Sequence, residues 1–224
     1  MSSGIDALDA LLRDPERAAA MGRAGRADMA ARFDREAVLE RASEAGVTRM
    51  IVTGSSDDSN RRAAELAADR PGMLFSTAGV HPHHAADYTD ASDALIRELV
   101  GHQNVVAVGE CGLDYFRNFS PREDQLRAFR AQLDIAIDTG MPVFLHQRDA
   151  HDDFVEILED ALPGLSRAVA HCFTGEHESL REYLAMGLYI GVTGWICDER
   201  RGTHLKEIVP IVPDDRLMIE TDAP

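Results

Sequence analysis

Five side chains able to bind a cation stand directly after short apolar runs. His81 follows Ala78-Gly79-Val80, and Glu110 follows Val106-Ala107-Val108-Gly109. His146 follows Val143-Phe144-Leu145, His171 follows Ala168-Val169-Ala170, and Asp222 follows Met218-Ile219-Glu220-Thr221. A lone histidine beside apolar residues is ordinarily a hydrogen-bonded core side chain. Three histidines and two carboxylates recurring in the same position are harder to explain that way, because buried polar and charged groups need partners. A divalent cation would satisfy them together. Imidazole and carboxylate suit Zn²⁺, Mn²⁺ or Co²⁺, whereas Mg²⁺ prefers oxygen and water.

The elements that would carry these residues alternate. Short apolar blocks bounded by turn residues lie at 48–53, 74–80, 105–110, 142–146, 168–172, 188–193 and 217–220. Such blocks read as strands buried on both faces of a parallel sheet. Helix-like blocks at 35–44, 59–69, 91–100, 122–139, 152–160, 178–186 and 204–208 lie between or beside them. Gly46, Gly101, Gly140 and Gly187 follow four of these blocks and are expected to stop them in a left-handed conformation. Repeated units of this kind build either a doubly wound sheet or a (β/α) barrel. A barrel is expected, because all its strand ends meet around one mouth, whereas a doubly wound sheet would spread them along an edge. Seven strands are counted where a closed barrel needs about eight. The fold is therefore expected to be an α/β TIM barrel, incomplete, with first strand and last helix missing.

Residues 1–33 contain no strand-like run. Ile5, Leu8, Leu11, Leu12, Met21, Met29 and Phe33 suggest helix, interrupted near Pro15 and loosened at Gly22 and Gly25. The expected organisation is an atypical helical segment at 1–33 and a barrel at 34–224. Hydrophobic residues make up 45% of the chain, enough for an ordinary globular core. The apolar runs are too short to cross a bilayer, and residues 1–34 lack the apolar centre of a secretory signal, so a cytoplasmic location is expected. The cysteines, Cys111, Cys172 and Cys197, are odd in number and lack metal-site spacing, and are expected to be reduced and buried. Net charge is −16, from 23 basic and 39 acidic residues, which argues against a broad electrostatic grip on nucleic acid. It does not exclude an enzyme that holds a few nucleotides at a bound cation.

The segments Ser76-Thr77-Ala78-Gly79-Val80-His81-Pro82-His83, Gly109-Glu110-Cys111-Gly112-Leu113-Asp114, Pro142-Val143-Phe144-Leu145-His146, His171-Cys172-Phe173-Thr174-Gly175 and Glu220-Thr221-Asp222-Ala223-Pro224 resemble the TatD family of nucleases. Arg148-Asp149-Ala150-His151 and the stretch from Gly194 to Gly202 join that resemblance, which runs from about Asp34 onward. It implies a TIM-barrel metal hydrolase acting as a Mg²⁺-assisted 3′–5′ exonuclease on single-stranded DNA or RNA, linked to DNA repair. Carried over, Glu110, His146 and His171 are metal ligands, Asp222 is a ligand or the base that activates water, and His81 contacts the scissile phosphate or helps the metal site. The ion implied is Mg²⁺, with Mn²⁺ or Zn²⁺ as alternatives, in one or two copies bridged by Glu110. Alternatives are a related hydrolase of an ester or amide, such as an aminoacyl-tRNA deacylase, or a metal-binding fragment without activity.

Weaker candidates surround this set. Arg148, Arg200 and Arg201 could pair with phosphates, an aromatic after Asp114 or Trp195 could stack on a base, and His83 and His84 could simply be solvated. The family's early strand, which in many relatives carries a His-x-His pair, has no counterpart, since no histidine precedes His81. Instead, residues 11–17 with Met21-Gly22 resemble the helical tail of some glycosyltransferases. Open sheet edges, lower stability and self-association are the expected consequences.

Overall fold

The computed structural model describes residues 34–200 and 202–221. The chain divides after Thr48. Helix α1 (Arg35–Glu44) belongs to the first unit, and the Asp34 side chain caps it by accepting from the Ala37 amide. The second unit alternates strand and helix: β1 (Met50–Val52), α2 (Asp57–Asp69), β2 (Leu74–Ala78), α3 (Asp90–Leu99), β3 (Val105–Asp114), α4 (Arg122–Thr139), β4 (Val143–Arg148), α5 (His151–Ala161), β5 (Ala168–Ala170), α6 (His177–Ala185), β6 (Tyr189–Val192), α7 (Thr203–Ile208) and β7 (Leu217–Ile219). The helical expectation for 1–33 lies outside the described residues.

All six strand pairings are parallel, and the seven strands neighbour one another in chain order. A doubly wound sheet would reverse its order at a switch point. A sheet that never reverses is wound in one direction, as in a TIM barrel. It curls without closing, so among the described residues β1 and β7 are edges. The core forms where apolar strand faces meet the helices; there Phe129 of α4 stacks on Phe154 of α5 at 5.6 Å between ring centres.

The stop signals act as the sequence suggested at three of four places. Gly46, Gly140 and Gly187 have φ of 87°, 70° and 83°, but Gly101 is not left-handed. Its amide instead donates to the Glu98 carbonyl at 3.1 Å. Of the three cysteines only Cys111 is buried, which corrects the expectation of three buried thiols. Among the described residues no helix is long and apolar enough to cross a membrane.

Two local features aim the strand ends. First, β3 runs four residues past its expected end, and its register against β4 shifts between Gly109 and Cys111. A bulge of this kind re-aims one side chain, here Glu110, whose amide donates to the Gly54 carbonyl at 2.8 Å rather than into the β4 ladder. Second, β2 and β3 approach so closely that a Cβ on Gly79 would collide with the Gly109 backbone. The chain then leaves β2 through Val80 and His81 towards the same mouth.

Candidate metal centre

Four strand ends meet at one carboxylate oxygen. Glu110 Oε1 lies 3.4 Å from His81 Nε2, 3.1 Å from His146 Nδ1 and 3.3 Å from His171 Nε2. These groups line a cavity of about 550 Å³ together with Asp114, Arg117, Arg148 and Trp195. Thus His81, Glu110, His146 and His171, read from separate segments of the sequence, are brought together. Asp222 lies outside the described residues, as does Arg201.

Hydrogen bonding distinguishes the imidazoles. His81 Nδ1 accepts from the His83 amide at 3.0 Å, so a neutral ring carries its proton on Nε2, facing Glu110. Burial, opposed by the nearby Glu110 charge, lowers its pKa to about 3, which keeps the ring neutral. His171 is arranged the other way. Its Nδ1 donates to Glu220 Oε2 at 3.1 Å, and Nε2 faces Glu110. Burial alone would lower its pKa, but the hydrogen bonds and charges of Glu110 and Glu220 push it up to about 10. A carboxylate holding one imidazole nitrogen while the other points into the site is how metal-binding histidines are oriented.

His146 stands between two carboxylates. Nδ1 faces Glu110, and Nε2 lies 3.4 Å from Asp114 Oδ2 without a hydrogen bond of good geometry, although it is buried. Burial penalises the Glu110 and Asp114 charges, yet His146 and His171 beside Glu110, and His146 together with the hydrogen bonds from the Arg117 amide and His83 at Asp114, hold both acids well below the usual carboxylate range. Two ionised carboxylates, an orphaned imidazole nitrogen and a carboxylate-held histidine form a donor set that fits a divalent cation. Among the described residues, His81, Glu110 and His146 offer ligand atoms all within 4.8 Å of one another. The proton on His81 Nε2 argues that this ring faces the site as a hydrogen-bond donor, since a ligand nitrogen must be bare.

Asp114 and Glu220 were not singled out from the sequence. Glu110, Gly112 and Asp114 alternate, so they share a face once β3 is extended, and that alternation was the available signal. Glu220 also accepts from the Cys172 amide at 2.8 Å, and it fits because a Cβ on Gly191 would occupy its place. His83, read as solvated, is half-buried and bonds Asp114 Oδ2 at 2.8 Å, whereas His84 is exposed. Trp195 packs against the core while lining the cavity, and Arg200 is exposed, 3.9 Å from Asp198.

A singly wound parallel sheet with imidazoles and carboxylates gathered at its strand ends defines a metal-dependent hydrolase of the barrel type. The family model described as TatD related DNase matches residues 27–224. The chain is 52% identical to the 3′-5′ ssDNA/RNA exonuclease TatD of Erwinia billingiae over 191 residues, covering 85% of this chain and 73% of that protein. It is 54% identical to the same-named protein of Musicola paradisiaca, covering 85% and 72%. Among solved structures, the TatD homologue YjjV of Escherichia coli superposes with a TM-score of 0.77 at 32% identity, covering 85% of this chain and 73% of that one. A hydrolase TatD family protein from Entamoeba histolytica gives 0.72 at 31% identity, covering 84% and 64%. The chain belongs to the TatD-related DNase family. It is a hydrolase of nucleic-acid ester bonds.

Proposed function

We propose that this chain trims single-stranded DNA or RNA from the 3′ end by hydrolysing phosphodiester bonds, with Mg²⁺ as its working ion and Mn²⁺ or Zn²⁺ as substitutes. The observation that carries this reading is the convergence of His81, His146 and His171 on Glu110 Oε1. The names of the Erwinia and Musicola relatives support the polarity and the substrate.

Glu110, His146 and His171 would hold the ion, with Asp222 completing the set or serving as the base. When bound, the ion lowers the pKa of water and withdraws charge from the phosphoryl oxygens. The chain's own groups do the rest. Glu220 fixes the His171 ring so that Nε2 faces the site. Asp114 holds His83 and stands beside His146. The His81 Nε2 proton is donated to a non-bridging oxygen of the scissile phosphate, where charge grows as the water attacks. The Asp222 carboxylate takes the proton lost by that water, and as the phosphorus–oxygen bond to the sugar breaks the departing sugar oxygen takes a proton back and leaves as an alcohol. We also infer that the two edges left open among the described residues, which expose Ile51 on β1 and Leu217 and Ile219 on β7, pair with a second copy of the chain.

End-labelled single-stranded DNA and RNA, incubated with Mg²⁺ or Mn²⁺, should shorten stepwise from the 3′ end. Chelator or Glu110→Ala should stop the shortening. Shortening that persists in either control, or a chain that cleaves only aminoacyl esters, would refute the reading.

A further inference from the structure

The turn between β3 and α4 carries two phenylalanines that the fold does not use. Phe116 is 55% exposed and Phe119 is 68% exposed. Their neighbour Tyr115 is committed to structure: its hydroxyl donates to Asp153 Oδ2 at 2.5 Å, and the Arg122 guanidinium covers its ring. Nor is the turn loose. Buried Gln125 accepts from the Asp114 amide at 2.9 Å and donates to the Ser120 carbonyl at 2.9 Å, tying both ends together. Ser120 Oγ donates to the His83 carbonyl at 3.0 Å, and the Tyr115 amide donates to the Arg148 carbonyl at 2.9 Å. The two exposed rings are therefore held in place at the rim of the catalytic cavity.

Their surroundings are cationic and aromatic. The Arg148 guanidinium lies 4.0 Å from the Phe116 ring centre, and that of Arg117 lies 5.7 Å from it. The Phe119 ring packs against His83 at 4.7 Å. Arg117, Arg148 and His83 all line the cavity that holds Glu110. Elsewhere Arg97 pairs with Asp93 and Asp138, and Arg127 pairs with Asp124. The side chains of Arg117 and Arg148 have no carboxylate partner among the described residues, in a chain of net charge −16. A guanidinium stacked on a ring keeps its N–H edge available for bidentate contact with phosphate. Exposed rings beside unpaired arginines are the recurrent means of holding single-stranded nucleic acid: every base has a face to stack, and the backbone follows the cations.

We propose that the turn at 115–121 is the substrate-binding platform of this enzyme. Phe116 and Phe119 stack on unpaired bases next to the scissile bond, while Arg148 and Arg117 hold the phosphate between them. Single strands are then selected over duplex because only their bases can unstack to meet the rings. This rests on the nuclease reading and assigns its strand selectivity to residues outside the metal centre.

Binding tests it without turnover. Fluorescein-labelled dT12 and an abasic 12-mer of equal charge are titrated with the protein in chelator, and anisotropy is read. The wild type should bind dT12 more tightly than the abasic strand or a blunt duplex. Phe116→Ala with Phe119→Ala should weaken dT12 binding about 10-fold to 100-fold for each stacked base lost, leaving abasic binding unchanged. Phe116→Trp in the Phe119→Ala background should recover part of the loss. Arg148→Ala should weaken both single strands alike. Unaltered far-ultraviolet circular dichroism and melting would show that the variants fold. The proposal is overturned if the double variant binds dT12 as the wild type does, if the abasic strand binds equally well, or if no probe binds. Cleavage is assayed separately with Mg²⁺. A chain that binds through the two phenylalanines but cuts nothing would sink the nuclease reading and leave the platform standing.

Discussion

Glu220 contacts His171 at Nδ1, the nitrogen turned away from Glu110. Replacing Glu220 with Gln keeps the shape and removes the charge that holds the ring in its orientation. Carboxylates in this position typically contribute about 10-fold to 100-fold in metal affinity or activity. Glu220→Gln should therefore lower kcat/KM by that order, with the loss partly recovered at higher Mg²⁺ concentration; an unchanged dependence on Mg²⁺ would count against the positioning role. In metal-free protein the same histidine also makes stability depend on pH. Its pKa is raised from 6.5 to about 10, so its contribution is fully present below about pH 6.5 and is lost as pH rises through about 10. With chelator present, the melting difference between wild type and His171→Gln should be largest below pH 6.5 and shrink towards pH 10. His81 acts in the opposite sense: lowered to about 3, it withdraws stability as pH falls from 6.5. At this scale the sequence made the residues facing the site legible, because each follows an apolar run that aims it at the mouth. Glu220 was hidden because its importance lies in what it touches, and contacts between distant strands leave no spacing signal; Asp114 offered only its alternation with Glu110 and Gly112, which counts once β3 is known to run on to it.

The helices and strands were readable for a simpler reason, the apolar blocks that bury them. Helix α4 spans 122–139, as its spacing suggested, and the strands fall within a few residues of the blocks read as such. The exception was β3, read as ending at Glu110, where the glycines at 109 and 112 look like turn residues. They instead let the strand pass close to β4, and the pairing resumes from Cys111 to Asp114. Helix periodicity also hid Gln132, which is polar yet fully buried. Its Oε1 accepts from the Val80 amide at 2.7 Å, and its Nε2 donates to the Val80 carbonyl at 3.1 Å. One side chain of α4 thus satisfies both backbone groups of the residue before His81. Gln132→Leu would leave them buried without partners, at a cost of about 1–3 kcal/mol for each group. For a domain of this size that should lower Tm by roughly 5–15 °C, and His81 should lose its fixed position. Thermal melts and kcat read together check this: a drop in kcat measured well below the melting range is expected, and an unchanged Tm would refute the clamp.

Across the whole molecule, the candidate metal centre and the sheet edges are the two places where a bound partner would change behaviour, a cation at one and a second copy of the chain at the other. Glu110 and Asp114 are buried, like-charged and held in place by histidines. A cation bound there but not to the unfolded chain would stabilise by about 2.7 kcal/mol at ~100 times its Kd. Tm should then rise by roughly 5–10 °C with Mn²⁺ or Mg²⁺, and Glu110→Gln should abolish the rise. At the edges, the outward-facing backbone groups of β1 and β7 have no strand partner among the described residues, and Ile219 is 91% exposed. Unpaired strands with exposed apolar side chains are templates for pairing with another chain, and a charged side chain on an edge is the usual deterrent. The net charge of −16 opposes approach of two copies at low salt, and screening at about 0.15 M, where the Debye length is about 8 Å, relieves that repulsion. Association should therefore strengthen with salt, the reverse of what oppositely charged surfaces would show. Sedimentation velocity at two salt concentrations measures it, and Ile51→Lys with Ile219→Lys should return the chain to monomer without altering the metal-dependent rise in Tm. A wild type that remains monomeric at every concentration and salt tested would show that these edges are already covered or too short to pair.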